Sequence, residues 1–235
     1  VITTAAEDAT TVYATDLDGD GDADVLSASY GDDKIAWYEN LGGGAFGAQQ
    51  TISTNADFAI SVYATDLDGD GDADVLSASW IDDRIAWYEN LGGGVFGWEQ
   101  RISVGLPAPN GARSVYATDL DGDGDADVLS ASDQDGTIAW YENLGGGAFG
   151  ALQIINTDAD GARSVYATDL DGDGDADVLS ASDNDDKIAW YENLGGGDFG
   201  DIAINQQVIT TAAVRARSVY ATDLDGDGGA DVLSA

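Results

Sequence analysis

The sequence contains no cysteine, no methionine and no histidine. Without cysteine there is no disulfide framework, no thiolate metal site and no thiol nucleophile. Without histidine the usual general base and the usual zinc ligand are missing as well. Basic residues are scarce: 8 lysines and arginines face 45 acidic residues, for a formal net charge of -37. That balance excludes nucleic acid and anionic bilayers as electrostatic partners. No apolar run approaches the roughly 18 residues needed to span a membrane, so membrane insertion is not expected, and no signal-peptide pattern opens the chain. The chain therefore reads as a mature segment or as a section of something longer. No Asn-x-Ser/Thr sequon occurs, so N-glycosylation is not expected. Helical periodicity and helix caps are missing too.

What is present is repetition. The stretch Asp16-Leu17-Asp18-Gly19-Asp20-Gly21-Asp22-Ala23-Asp24 returns after 50, 53, 50 and 54 residues. Its aspartates are Asp66, Asp68, Asp70, Asp72 and Asp74 in the second copy, and Asp119, Asp121, Asp123, Asp125 and Asp127 in the third. The fourth copy has Asp169, Asp171, Asp173, Asp175 and Asp177; the fifth has Asp223, Asp225, Asp227 and Asp231, with Gly229 at the seventh loop position. Carboxylates at positions 1, 3, 5 and 9 with glycine at 6 are what a hard cation needs, because short side chains on alternating residues converge and glycine makes the sharp turn. Position 7 can offer its backbone carbonyl, so Gly229 costs the last loop little. Carboxylates held about 4 Å apart repel by roughly 4 kcal/mol per pair at an effective dielectric near 20. A bound cation makes that crowding tolerable, and the pattern reads as about five Ca2+ sites. Five such ions bring the net charge from -37 to about -27. Weak, repeated calcium sites suit the millimolar calcium found outside cells, which gives an extracellular address, secreted or at the cell surface.

Around each acidic loop the unit reads Ser-Val-Tyr-Ala-Thr, loop, Val-Leu-Ser-Ala-Ser, short polar loop, Ile-Ala-Trp-Tyr-Glu-Asn, Gly-rich turn, and an apolar-alternating tail. These are four short β-rich runs, A to D, separated by turn chemistry. In the second unit they are Val62–Thr65, Val75–Ser79, Ile85–Glu89 and Gln100–Val104. The fold class is all-β: a propeller of four-stranded antiparallel blades, four complete and a fifth partial. As a single repeat domain over 1–235, the blades span about 11–54, 61–104, 114–157 and 164–211, with 218–235 partial and 1–4 as a possible closing strand. A linear stack of the same sheets is the alternative, and the missing end caps argue against it. Small residues such as Ala14, Ser27 and Ala28 let sheets approach near the axis, while Trp37 and Tyr38 fill the wider space outside. The fifth blade has no C strand. Either the ring closes imperfectly at five, another chain fills the gap in a homo-oligomer, or the chain is a section of a longer propeller.

The loop Asp-x-Asp-x-Asp-Gly-x-x-Asp between two strands, with the turns Phe46-Gly47, Phe96-Gly97, Phe149-Gly150 and Phe199-Gly200, resembles the FG-GAP/VCBS repeat family. That family includes the calcium-bearing propeller of integrin α subunits and several fungal and bacterial lectins. The resemblance covers nearly the whole chain and implies calcium at the first, third, fifth and ninth aspartates of each loop.

Antiparallel connectivity puts the A–B and C–D loops on one rim and the B–C and D–A loops on the other. The first rim is nearly invariant; the second is where the units differ, in B–C loops such as 30–34 and 80–84 and D–A loops that include Gly105–Asn110. Lys34, Arg84, Arg113, Arg163, Lys187, Arg215 and Arg217 flank this second rim. One reading is that they neutralise neighbouring aspartates as solvated pairs worth about 0–1 kcal/mol. The other is a recognition surface formed by Tyr30, Trp80, Arg84, Arg113 and Arg163, with the two aromatics as exposed platforms. Trp37, Trp87, Trp140 and Trp190 read as repeated core packing rather than sugar platforms. The Gly-Gly-Gly turns are tight hairpins, not phosphate loops, because neither a helix nor Lys-Ser/Thr follows. With the clustered carboxylates claimed by cations and no conventional base or nucleophile, no enzyme activity is expected. The expected function is an extracellular binding module, carbohydrate recognition first, with a glycan or an extracellular protein as partner. A structural or adhesive repeat that self-assembles, or a designed symmetric scaffold without a small ligand, is the alternative.

Overall fold

In the computed structural model, which describes residues 1–103 and 110–235, four antiparallel four-stranded sheets follow one another along the chain. The first blade is β1 (Ala9–Thr15), β2 (Asp24–Ser29), β3 (Lys34–Tyr38) and β4 (Gln50–Ser53). The second is β5 (Ala59–Thr65), β6 (Asp74–Ser79), β7 (Arg84–Tyr88) and β8 (Gln100–Arg101). The third is β9 (Ala112–Thr118), β10 (Asp127–Ser132), β11 (Thr137–Tyr141) and β12 (Gln153–Asn156). The fourth is β13 (Ala162–Thr168), β14 (Asp177–Ser182), β15 (Lys187–Tyr191) and β16 (Gln207–Thr210). A two-stranded sheet of β17 (Val219–Thr222) and β18 (Asp231–Ser234) ends the chain.

The first strand of each full blade starts two residues before the expected boundary, and a register irregularity between Ala9 and Thr11 recurs between Ala59 and Ser61 and between Ala162 and Ser164. This bulge carries the inner strand one pair further toward the second rim. The segment Val1–Thr4, expected as a closing strand, joins no sheet among the described residues. A fourth strand pairs with a third strand, as β4 does with β3, and the fifth unit has no third strand to offer. The expected Val104 end of β8 and the Gly105–Pro109 part of the following loop lie outside the described residues.

Each blade buries one face against the next. Leu26, Ile35 and Trp37 of the first blade pack with Val62, Val75 and Tyr88 of the second. Equivalent clusters join the second blade to the third and the third to the fourth. Trp37, Trp87 and Trp140 are each 3% exposed, and burying about 200 Å² of indole contributes roughly 4–6 kcal/mol at most. Each indole lies against the C–D turn of the following blade. A Cβ on Gly94 would sit 2.3 Å from the Trp37 ring, and one on Gly147 or Gly197 would sit 2.5 Å from Trp87 or Trp140. The third glycine of the turn is therefore a packing requirement as well as a backbone one in the second, third and fourth blades, since a φ near +70° disfavours other residues; Gly44 of the first blade meets nothing within 4 Å.

The inner strands do not meet through small residues alone. Tyr13, Tyr63, Tyr116, Tyr166 and Tyr220 form a continuous ladder, with centroids 4.7–4.9 Å apart and planes inclined by 48–50° at every step. Planes related by a rotation cannot differ by more than that rotation, so each blade turns at least 48° from its neighbour. This constant turn distinguishes a propeller from a linear stack. Dividing 360° by 48° gives 7.5, so a closed ring of this curvature holds at most seven blades.

Candidate functional site

The five acidic loops share one backbone solution. The first aspartate folds back over its loop: Asp16 accepts hydrogen bonds from Gly19 N at 2.7 Å and Gly21 N at 2.9 Å. Gly19 and Gly21 both hold positive φ, 82° and 93°, which glycine adopts without steric cost. Asp18 and Asp20 accept from the amides two residues on. The other four loops repeat these contacts within 0.2 Å.

Three carboxylates per loop come within 4.8 Å of one another: Asp16, Asp18 and Asp24; Asp66, Asp68 and Asp70; Asp119, Asp121 and Asp127; Asp169, Asp171 and Asp177; Asp223, Asp225 and Asp231. Asp20, Asp74, Asp123, Asp173 and Asp227 lie outside these groups, so the second loop draws on its fifth aspartate where the others draw on the ninth. The seventh position was expected to serve through its backbone carbonyl, and its side chain is turned toward the C–D turn: Asp22, Asp72, Asp125 and Asp175 lie 3.2–3.7 Å from where a Cβ on the first glycine of that turn would be. Gly229 therefore lacks a side chain that the other loops direct away from the cluster. The donor set is all oxygen, which suits calcium rather than a softer metal.

Electrostatics point the same way. Burial pushes the carboxyl of Asp74 up to about 7 and that of Asp127 up to about 6, against the pull of two backbone amides on each. Desolvation likewise raises Asp177, and it raises Asp18, Asp68 and Asp121, where neighbouring loop carboxylates add to the effect. Buried, mutually repelling carboxylates of this kind are what a divalent ion relieves.

The ninth aspartate has a second task that the sequence pattern did not reveal. Asp74 accepts from Leu67 N at 2.9 Å and from Asn90 N at 2.7 Å, tying the acidic loop to the C–D turn. The Asn90 side chain then donates to Ala73 O at 3.0 Å and, across the blade boundary, to Leu17 O at 2.8 Å. Asn143 and Asn193 make the same reach to Leu67 O and Leu120 O. The first three acidic loops are thus latched to the turn of the following blade. The signal was visible only as an asparagine repeated after Tyr-Glu in the four complete units.

On the opposite rim most basic side chains are paired. Lys34 meets Asp32 at 2.6 Å, Arg113 meets Asp133 at 2.6 Å, Arg163 meets Asp183 at 2.7 Å and Lys187 meets Asp185 at 2.8 Å. Arg84 is shared among Asp82, Glu99 and the Asn55 carbonyl, each at 3.2 Å. Tyr30 and Trp80 are not the open platforms expected; both are half-buried. Phe58, which sequence reading passed over, inserts between them, with centroids 4.4 Å from Tyr30 and 5.4 Å from Trp80. Phe58 holds a φ of 62°, where the third and fourth blades have Gly111 and Gly161. A bulky residue in that region costs about 1–2 kcal/mol, offset here by the stack. Trp80 Nε1 donates to Asp133 at 2.8 Å, and the Arg113 guanidinium lies 4.8 Å from the Trp80 ring. Tyr30, Trp80, Arg113 and Arg163 therefore form one chain of contacts through Phe58 and Asp133, while Arg84 belongs to a separate groove.

The FG-GAP-like repeat matches the sequence four times, over residues 16–77, 66–130, 119–180 and 169–234. The chain belongs to the FG-GAP-like repeat family. Each match starts at the first aspartate of an acidic loop and runs into the second strand of the next blade. No curated protein matches the chain. Among solved structures, this FG-GAP-like chain is similar to an Agrocybe aegerita lectin that recognises non-reducing terminal N-acetylglucosamine, with 23% identity and a TM-score of 0.62 over 88% of this chain and 53% of the lectin. It is also similar to BBS1N, solved in complex with ARL6DN (14% identity, TM-score 0.56, 81% of this chain and 56% of that one), and to the rhamnogalacturonan lyase YesW (15%, 0.53, 96% and 44%). The chain thus spans about half the length of these structures, and at such identities the likeness is one of fold.

Proposed function

We propose that this FG-GAP-like chain is an extracellular, calcium-stabilised binding module whose ligand is a glycan. The observation that carries the reading is the division of labour between the rims. Five near-identical acidic loops each gather three carboxylates within 4.8 Å, and a feature repeated in every blade serves the scaffold. The opposite rim differs from blade to blade, and loops held by a rigid scaffold are where recognition concentrates. The similar lectin supports a sugar as ligand by analogy of fold, which is a weaker warrant than a site. Binding rather than catalysis is the activity proposed, because among the described residues neither rim presents a base poised against a nucleophile. The test has two parts. Melting in calcium against excess chelator should differ by several degrees, and the calcium-loaded protein should be retained on immobilised glycans. An unchanged melt removes the calcium claim; silence across a broad glycan array removes the ligand claim.

A second reading rests on the terminal sheet, where β17 and β18 pair with each other alone and Tyr220 and Leu233 are 50% and 38% exposed. An open edge of this kind can accept strands from a second copy. Sedimentation at increasing concentration checks it, and a monodisperse monomer dismisses it.

A further inference from the structure

Trp98 breaks the symmetry of the repeat. It follows Phe96-Gly97, where the other blades carry Ala48, Ala151 and Asp201. It is 93% exposed, whereas Trp37, Trp87 and Trp140 are 3% exposed and Trp80 and Trp190 are half-buried. A bare indole on a chain of this charge has no packing role, since a large aromatic is stabilising where it is covered.

The surroundings of Trp98 say what could cover it. It lines two adjoining clefts of about 610 and 220 Å³ between the first and second blades, which share Thr54, Asn55, Trp98 and Glu99. The larger is within the range of small-ligand sites. Around the indole stand Asp33, Asn55, Asp57, Asp82, Arg84 and Glu99. Arg84 spans the groove, bonded to Asn55 O on one side and to Glu99 and Asp82 on the other, so the wall is set before a ligand arrives. Asp82 Oδ1 is buried without a hydrogen-bond partner. Its counterparts on Asp32 and Asp185 each accept a serine hydroxyl at 2.6 Å. A buried acceptor without a donor is costly, and Asp82 lines the cleft with that oxygen unpaired.

We infer that this groove takes a neutral sugar ring, its C–H face against the Trp98 indole and its hydroxyls on Asp82, Glu99 and Asn55. The inference rests on the glycan reading above and gives it a place. An apolar face with polar groups around its edge is the form of a pyranose, and a fixed indole beside converging acceptors is its complement. Four carboxylates against one guanidinium make the groove negative, so uronic or sulfated sugars are repelled. The chain holds its own control. The groove between the third and fourth blades, about 360 Å³, repeats the acidic wall with Asp135, Asp158, Asp160, Asp185 and Lys187, but no aromatic side chain lines it.

The experiment titrates the calcium-loaded chain with methyl glycosides of neutral hexoses, N-acetylhexosamines and uronic acids, following tryptophan emission and heat. The expected result is binding of a neutral glycoside with a blue shift as the exposed indole is covered. Trp98→Ala should lose at least tenfold in affinity and the blue shift, Trp98→Phe should keep part of the affinity, and Asp201→Ala should change neither. Because Trp98 is exposed, its replacement leaves the fold intact, checked by an unaltered melt in calcium. Wild-type binding that Trp98→Ala retains overturns this placement and leaves the glycan reading standing. Preference for uronic acids overturns the assigned ligand class. Failure of wild type to bind any glycoside sinks both.

Discussion

Replacing Asn90 with alanine tests whether the blades are latched through the acidic loops. Asn90 is 1% exposed; its amide donates to Leu17 O and Ala73 O, and its oxygen accepts from Gly92 N at 3.2 Å. A typical hydrogen bond contributes about 1 kcal/mol net, and a buried carbonyl left without a donor costs about 1–3 kcal/mol. Loss of all three contacts, with the inter-blade Leu17 carbonyl stranded, is expected to cost about 3–4 kcal/mol. Asn40 occupies the same place in the first blade, where no earlier acidic loop is available. It is half-buried and makes only the Ala23 and Gly42 contacts, so Asn40→Ala should cost about 1 kcal/mol. Both variants keep their carboxylates and remove the same atoms. Urea denaturation in saturating calcium, read by circular dichroism and tryptophan emission, measures the difference. Equal losses for Asn40→Ala and Asn90→Ala would refute the latch, since the Leu17 contact is the feature that separates them.

Three further outcomes follow from the same geometry. Extracellular calcium modules have dissociation constants of about 10⁻⁴–10⁻³ M, so 10 mM calcium stabilises by about 1.4–2.7 kcal/mol per site; chelation should lower the melting temperature by about 3–10 °C for each site emptied, read by calorimetry. Gly94→Ala should destabilise by about 2–4 kcal/mol, from strain at φ +69° plus overlap with Trp37, while Gly93→Ala, at φ +64° with nothing within 4 Å, should cost about 1 kcal/mol; denaturation midpoints that coincide would count against the indole contact. Burial holds the phenols of Tyr63, Tyr116 and Tyr166 above their ordinary range. Their neutral forms therefore favour the folded state below about pH 10, and that stability is lost as pH rises toward the folded values. Absorbance at 295 nm should show these phenolates arriving together with loss of the sheet signal, and a smooth titration near pH 10 with the sheets intact would contradict the ladder.

The blades were legible because each strand carries its own pattern and each turn its own punctuation. Asp18-Gly19-Asp20-Gly21 between two β-rich runs fixes a hairpin from local chemistry, and repetition confirms it five times. What escaped depends on contacts between units. Trp37 was readable as core, but that it presses on Gly94 of the following blade needs the turn between sheets. Asn90 looked like an ordinary turn residue because its acceptor, Leu17 O, is 73 positions away in sequence. Phe58 stands where two other blades have glycine, so the pattern predicts the backbone there and misses the aromatic. Trp98 escaped for the opposite reason: attention to what repeats conceals the residue that does not.

Those two classes of residue meet between the first and second blades. The latch from Asn90 to Leu17 closes that boundary at the acidic rim, and Arg84 closes it at the other by reaching Asn55 O. The Trp98 groove lies along the same boundary, with walls drawn from both blades. Its shape therefore depends on how firmly the two sheets are held, and the loop at Asp66–Asp74 bears on that through the hydrogen bond from Asn90 N to Asp74. A requirement for calcium in glycan retention would then not mean that the ion touches the sugar. The distinction is measurable: in Asn90→Ala, binding should weaken even in saturating calcium, because the link from loop to groove is cut while the carboxylates remain. An ion that ligated the sugar directly would leave that variant's affinity unchanged.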